Sequence, residues 1–309
     1  MERIYIVILN YNGWRDTVEC VESFYKQVST THYQYTIVII DNKSTDDSFN
    51  KLEELLPTAI LIESDFNGGY AYGNNIGIRY AMEHNADYIC ILNNDTVLVE
   101  DFFQECITVL RSDNTIAFVG PTLINYSDDL VQSTGGNVSF FKGKTYKWNE
   151  GKDFHTIPKS HVKTDIIFGA AMVFRTDLLK DLGIIPENYF LFYEETEWCY
   201  KARKLGYTNI YITEKRIRHK GSASLVNLND MQTYLMERNR VLFIKRNGTP
   251  VQLVVFLIYD TLRMIYRSFI HHVPFITYMK FHLDGLTESF NAEYVDIHTV
   301  NLLKKHMEK

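Results

Sequence analysis

No glycine-rich phosphate loop follows the first apolar segment. Residues 4–9 run straight into Asn10-Tyr11-Asn12-Gly13, with neither a GxGxxG turn nor a Walker lysine. A nucleotide bound by this chain must have its phosphates met in another way. Positive charge is also short: the net charge of −6 denies the chain the basic footprint of a nucleic-acid binder, so no nucleic-acid partner is expected. Cysteine is scarce. Cys20, Cys90, Cys106 and Cys199 are scattered, and no pair has metal-ligand or redox spacing. Cys20, Cys90 and Cys199 lie in apolar patterns and read as buried thiols, which fits a reducing, cytoplasmic compartment. The sequons at Asn42, Asn125, Asn137 and Asn247 are then without consequence. Long apolar runs are missing too. The longest uncharged stretch, residues 247–259, is too short to span a bilayer, and residues 1–10 read as a strand, not a signal peptide.

What is present is a globular composition, 46% hydrophobic and 23% charged, in 309 residues. That length suits one large α/β domain with an appendage, or two modest domains. Tyr and Phe are plentiful at 21 and 19, mostly as core. The first hundred residues alternate strand and helix with short links. Strands are expected at 4–9, 35–40, 59–63 and 88–92. Helices are expected at 17–27, with Val18, Val21, Phe24 and Tyr25 on one face, at 44–56, and at 73–85, with Ile76, Tyr80 and Ala81 inward. Ser44 followed by Asp47 resembles an N-cap box for the second of these. The pattern implies a mostly parallel sheet covered by helices. Beyond it come a helix over 101–111, a strand over 116–119, and an irregular Gly-rich stretch over 121–147. Residues 166–174 form an apolar segment whose Gly169-Ala170-Ala171 centre lets something approach the backbone.

Three strands end in polar residues: Asn10–Asn12, Asp41-Asn42 and Asn93-Asn94-Asp95. Parallel strands point the same way, so these ends share one edge of the sheet, where open α/β sheets bind ligands. Asn and Asp are also ordinary turn residues. As a ligand site, Asp95 offers oxygen to Mg²⁺ or Mn²⁺, and Asp41 can bond a ribose or a base edge. A second informative stretch spans 189–207. Glu194, Glu195 and Glu197 open a helix that turns Trp198, Cys199, Ala202 and Leu205 inward. Acidic residues there favour the helix dipole. Set behind an aromatic run, they also suggest a desolvated carboxylate able to act as a general base. A strand follows over 207–213, and residues 216–222 carry His219 and Lys220.

Taken in order, the motifs at 8–12, 41–46, 67–75, 92–95, 169–171 and 194–199 resemble a family 2 glycosyltransferase with a GT-A fold, and the Thr196-Glu197-Trp198-Cys199 segment resembles the rhamnosyltransferase-like branch. The resemblance covers about residues 4–222. It implies a catalytic domain over 1–225, with a nucleotide-sugar half near 1–100 and an acceptor half near 101–225, and a helical region over 226–309. It implies inverting transfer of a sugar, rhamnose or another hexose, from a nucleoside-diphosphate sugar to an acceptor hydroxyl in cell-surface polysaccharide or glycan synthesis. Tyr11 and Asp41 then hold base and ribose, with Asn10, Asn12, Asn67, Gly69, Asn75 and Asn94 completing the donor site. Asp95 binds a divalent metal, Mg²⁺ or Mn²⁺, on the diphosphate, and His219 meets the metal or the diphosphate. Glu195 is the base.

Two departures stand out. The family's metal motif is commonly Asp-x-Asp, and its first position here is Asn93. The base is Glu where the family usually has Asp, which leaves Glu194 as the alternative. Two other readings compete. A nucleotidyltransferase would carry a lysine-bearing loop after the first strand, and a sugar-nucleotide-binding partner subunit would have lost turnover.

The C-terminal third is helical from 234 to 245, where Arg238-Asn239 resembles a family pair near the acceptor side. Pro250 and Pro274 then bracket a long helix with Gln252, Tyr259, Asp260, Arg263 and Arg267 on one stripe. An apolar helix with arginines near one end suits a membrane interface, which a lipid-linked acceptor would favour; docking on the catalytic domain or on a second copy is the alternative.

Overall fold

The computed structural model describes residues 1–221, 229–271, 274–291 and 295–307. The first strand, β1 (Glu2–Asn10), is a run of β-branched and apolar residues, as a strand buried on both faces must be. Next come α1 (Trp14–Gln27), β2 (Tyr33–Asp41), α2 (Ser48–Leu55), β3 (Ile60–Glu63), α3 (Gly69–Glu83) and β4 (Tyr88–Asn93). The strand order β4-β1-β2-β3 is parallel throughout. Alternate residues of β1 feed two cores. Ile4, Ile6 and Ile8 pack with Cys20, Val21 and Phe24 of α1, while Tyr5 and Val7 pack with Ile78 and Ala81 of α3. All four cysteines are buried and unpaired.

The second half is mixed. It contains β5 (Thr96–Leu98), α4 (Phe103–Ser112), β6 (Ile116–Asn125), β7 (Val131–Ser133), β8 (Gly136–Ser139), β9 (Lys144–Lys147), β10 (His161–Thr164), β11 (Ala171–Arg175), α5 (Leu179–Leu182), α6 (Glu194–Lys204) and β12 (Thr208–His219). Antiparallel β11 joins β4 to β6, β12 runs parallel to β6, and β10 closes that side. Four helices follow: α7 (Asn229–Asn247), α8 (Pro250–His271), α9 (Phe275–Thr287) and α10 (Ile297–Met307). The expected boundary at 225/226 lies outside the described residues.

Several local expectations are corrected. Stretch 121–147 is not irregular: β6 continues to Asn125 through Pro121, and β8 and β9 form a hairpin. Segment 166–174 forms a strand only from Ala171; ahead of it, Ile166 pairs in an isolated bridge with Gly136. Ser44 caps no helix. It turns back to Asp41, and α2 starts at Ser48 with Asp47 as its N-cap residue. Tyr25 and Leu205 face solvent; Leu205 falls just past the last turn of α6, where the helical face no longer applies. Ile76, Tyr80 and Ala81 do pack inward, and Gly73 and Gly77 bring α3 closest to Leu9 and Val7 of β1.

Candidate active site

The three polar strand ends do meet. Asn10 sits opposite Asp41, and Leu9 opposite Asn93, so β1, β2 and β4 finish level on one edge. Asp41 is fully buried there. It accepts from the Asn10 side-chain amide at 2.8 Å, from the Ser44 backbone N–H at 2.8 Å and from the Ser44 hydroxyl at 2.6 Å. Asn10 is equally committed: its Oδ1 accepts from the Thr17 hydroxyl at 2.8 Å, and its amide also donates to Ser44 Oγ at 3.2 Å. Asn10 is therefore a strut under the site, not a surface for a ligand. Asn12, at φ 53°, accepts from the Thr45 and Asp46 backbone N–H groups at 2.8 and 3.3 Å and pins that loop. Between these two anchored asparagines Tyr11 is 40% exposed, the side chain of this loop best placed to stack on a base.

Asn67 and Gly69 form the next wall. Asn67 Oδ1 accepts from Asn42 Nδ2 at 2.9 Å and from the Gly69 N–H at 3.1 Å. Gly69 holds φ +85°, and a Cβ there would lie 2.1 Å from the Phe190 carbonyl oxygen. The next residue explains the close approach: the Tyr70 N–H donates to that carbonyl at 2.7 Å. The Tyr70 hydroxyl donates to the Gly169 carbonyl at 2.8 Å, and a Cβ on Gly169 would lie 2.6 Å from it. The small centre at 169–171 thus receives a phenol. Burial, then the charges of Glu195, Glu194 and Asp95, holds the Tyr70 hydroxyl well above the usual tyrosine range. Nothing in the sequence pattern singled out Tyr70.

Asn75 and Asn94 are placed otherwise than expected. The Asn75 amide donates to the Ile185 carbonyl at 2.9 Å and to Glu187 at 2.6 Å, and its Oδ1 accepts from the Ile185 N–H, so it staples a loop behind α3. Asn94 turns its amide to Thr17 Oγ1 at 3.1 Å, toward α1. Asn75 spends both polar atoms within the protein, and Asn94 commits its Nδ2 there.

Asp95 meets His219. Antiparallel pairing of β5 with β12 sets Thr96 opposite His219, which draws the residue before β5 against the end of β12. His219 Nε2 lies 3.3 Å from Asp95 Oδ1. Gln132 orients the ring: its Nε2 donates to the His219 carbonyl at 2.8 Å, which leaves its Oε1 to accept from Nδ1 at 2.7 Å. With Nδ1 turned to Gln132, Nε2 is the ring atom left for the Asp95 carboxylate, and as a neutral imidazole it can share a cation with that oxygen. Cis ligands of an octahedral divalent ion with bonds of about 2.1 Å stand about 3.0 Å apart, so this donor set fits such an ion with little movement. Asp95 and His219 would hold such an ion, with Asn93 adding no carboxylate. Two triads elsewhere, Glu105–His161–Glu214 and Glu237–Asp260–His282, exclude Asp95. Gln132 escaped notice because it lies in the stretch read as irregular.

The Glu194–Glu195 pair is delivered by a strained loop. Phe190, Phe192 and Tyr193 have φ of 66°, 71° and 76°, a left-handed region costly for bulky side chains. Asn239 of α7 holds them: its amide donates to the carbonyls of Tyr189, Leu191 and Phe192 at 3.0, 2.8 and 3.0 Å. Arg238 Nη1 donates to the Asn188 carbonyl at 3.1 Å. Glu194 is buried, and its Oε2 has no hydrogen-bond partner. Burial, then the Glu195 charge, holds its carboxyl well above the usual range, so it keeps its proton. Glu195 is partly exposed, and desolvation raises it to about 7. Glu197 differs. Burial alone would raise its carboxyl, but Arg246, Lys201 and Tyr189 hold it below the usual range, and this ion pair ties α6 to α7.

The site therefore combines a polar edge of the sheet, a carboxylate–imidazole pair and a carboxyl raised to about 7. Residues 5–183 match the model of glycosyl transferase family 2. Among curated proteins, the low-salt glycan biosynthesis hexosyltransferase Agl10 of Haloferax volcanii is 26% identical over 207 residues, 66% of this chain and 62% of its own length. The dTDP-rhamnosyl transferase RfbF of Shigella flexneri is 23% identical over 302 residues, 92% of this chain and 95% of its own. Among solved structures, GalNAc-T7 with UDP, GalNAc and Mn²⁺ shares the fold at a TM-score of 0.67 and 16% identity, over 96% of this chain and 57% of that one. More than half of the sequence, including every polar strand end that meets at the edge, lies within the family match, and the chain belongs to glycosyl transferase family 2.

Proposed function

We propose that this chain transfers a hexose, with inversion, from a nucleoside-diphosphate sugar to an acceptor hydroxyl of a lipid-linked glycan in cell-surface polysaccharide synthesis, at the cytoplasmic face of the membrane. The reading rests on Tyr70, which ties the segment leading to Glu195 to the strand end before Asp95: its N–H donates to the Phe190 carbonyl at 2.7 Å and its hydroxyl to the Gly169 carbonyl at 2.8 Å, next to Ala170, whose carbonyl accepts from the Asn93 N–H at 3.0 Å. Tyr11 and the Asp41 loop receive the nucleoside. Asp95 and His219 hold a divalent cation, Mg²⁺ or Mn²⁺, whose positive charge, when bound, stabilises the departing diphosphate. Glu195 takes the proton of the acceptor hydroxyl as its oxygen bonds to the anomeric carbon. The bond from that carbon to the diphosphate breaks, and its electron pair leaves with the diphosphate. One base and no covalent nucleophile give inversion. Support for rhamnose as the sugar comes from the name of the Shigella relative.

Thermal shift with UDP, dTDP and GDP sugars, with and without Mn²⁺, tests donor and metal together. The expected result is stabilisation by one nucleotide class that grows with Mn²⁺ and loses this increment in Asp95→Asn. Stabilisation by nucleotide with no Mn²⁺ increment would refute the metal assignment. Binding without turnover for every donor would favour a partner subunit.

The pH dependence follows from Glu195. Its carboxyl must be ionised to accept a proton, so kcat should rise through an apparent pKa near 7, the value belonging to the Glu194–Glu195 pair. A single-turnover pH series checks this; a flat profile from pH 5.5 to 8 would place the base elsewhere.

A further inference from the structure

On the sequence alone, arginines near one end of α8 suit a membrane face, but the structure turns them inward. Arg263 pairs with Glu237 and Asp260, and Arg267 with Glu237. Arg240 reaches Asp260 at 2.8 Å, and His282 Nε2 of α9 lies 2.8 Å from the same carboxylate. This ion cluster fixes α8 against α7 and α9 and consumes every charge that α8 carries.

The outer face is left without charge. Of the exposed positions from 251 to 270, all but Thr261 are apolar or aromatic. Val251, Val254, Ile258, Leu262, Ile265 and Phe269 form the central stripe, with Val251 69% and Phe269 79% exposed. With Val255, Tyr266 and Ile270, and at 3.6 residues per turn, the exposed apolar arc spans roughly 160° of the helix over about 30 Å. Monomeric soluble surfaces rarely leave so continuous a patch open. No helix of the described residues is long and apolar enough to cross a membrane.

Cations border this face. The tip of the β8–β9 hairpin packs against α8, with Phe256 over Gly143 and Arg240 donating to the Lys142 carbonyl at 2.8 Å and the Gly143 carbonyl at 3.1 Å. That tip exposes Phe141, Lys142 and Lys144. On the other neighbour, α9 exposes Ile276, Met279, Lys280 and Leu283.

We infer that the outer face of α8, with the hairpin tip and α9 beside it, docks on a phospholipid bilayer bearing anionic headgroups. A broad apolar arc bordered by lysines matches the depth profile of an interface, where an amphipathic helix sinks into the headgroup–acyl boundary and cations meet the lipid phosphates. A second copy suits the face less well. Two convex helices touch along a narrow seam, so the flanks of a 160° arc would stay wet, whereas a fluid bilayer covers the whole arc. The inference deepens the reading of a lipid-linked acceptor, since such an acceptor lies in the same surface.

Flotation of the full chain with phosphatidylglycerol–phosphatidylcholine vesicles, against phosphatidylcholine alone, tests it. Expected is flotation that depends on phosphatidylglycerol and weakens with salt, and that falls by about tenfold or more in an Ile258→Asp, Leu262→Asp double variant. Because both side chains are already in solvent, the variant should keep its Tm and its donor-induced thermal shift. Flotation indifferent to phosphatidylglycerol, equal flotation of the double variant, or a wild-type dimer that does not float and that the double variant turns into a monomer would each overturn the inference. The readout is lipid binding, so a failure here is separate from failure of the transfer reaction.

Discussion

Glu195→Gln should lower kcat by about 10²–10⁴ while leaving donor affinity within about twofold. The amide is isosteric and cannot take a proton. The groups proposed to face the donor, Tyr11, the Asp41 loop and the Asp95–His219 pair, lie on other elements and are untouched by the change. Glu194→Gln is the necessary companion. Glu194 is buried, and its carboxyl is held protonated by burial and by its neighbour, so it is poorly suited to accept another proton. Its replacement should cost far less activity and should leave the apparent pKa near 7 in place, because a protonated Glu194 carries no charge and burial is what raises Glu195. Single-turnover kinetics with a fixed donor, paired with donor titration by thermal shift, measure both effects. Near-normal turnover in Glu195→Gln with collapse in Glu194→Gln would reverse the assignment.

Asn239→Ala carries the second large expectation. One amide supports three carbonyls of a loop in which three bulky residues hold left-handed backbone. Removing it leaves those carbonyls to water and releases the strain, at about 2–4 kcal/mol. For a chain of this size, Tm should fall by about 3–6 °C. The kinetic consequence separates positioning from mere destabilisation. Below the new Tm, kcat should still fall by about 10²-fold while donor affinity holds, since a misplacement of about 1 Å costs that much. The pH profile should change as well. Glu195 owes its raised carboxyl to burial, so a loosened loop that admits water should move the apparent pKa down from near 7 toward the ordinary carboxylate range. Equal losses of Tm and donor binding with an unmoved pH profile would make Asn239 a packing residue only.

The sequence was most informative where period and chemistry agreed. β1, β2 and β4 are apolar runs that stop at Asn or Asp, and parallel topology alone required their ends to meet. The Glu194–Glu195 pair behind its aromatic run was legible for a similar reason, because desolvation follows from its neighbours. Legibility failed where a side chain's partner is distant in the chain. Asn10 and Asn75 have the residue type of ligand contacts, yet each is consumed by groups 7 to 112 residues away, which no local pattern encodes. Gln132 and Tyr70 were missed for the converse reason. One lies in a short strand without periodic signal, and the other looks like any aromatic at a helix start. The direction of the α8 arginines also depended on acids from α7, which the apolar pattern of α8 could not report.

The level finish of β1, β2 and β4 has a consequence for how the chain acquires activity. Side chains alternate faces along a strand, so a one-residue slip of β1 against either neighbour would turn Asn10 from Asp41 toward the opposite layer. The same slip would send Ile4, Ile6 and Ile8 into the wrong core. The nucleotide edge thus proofreads its own assembly: a molecule with the strands misaligned would be both unstable and blind to donor. Regain of nucleotide binding during refolding therefore reports strand alignment, and it should appear together with burial of the central sheet rather than after it.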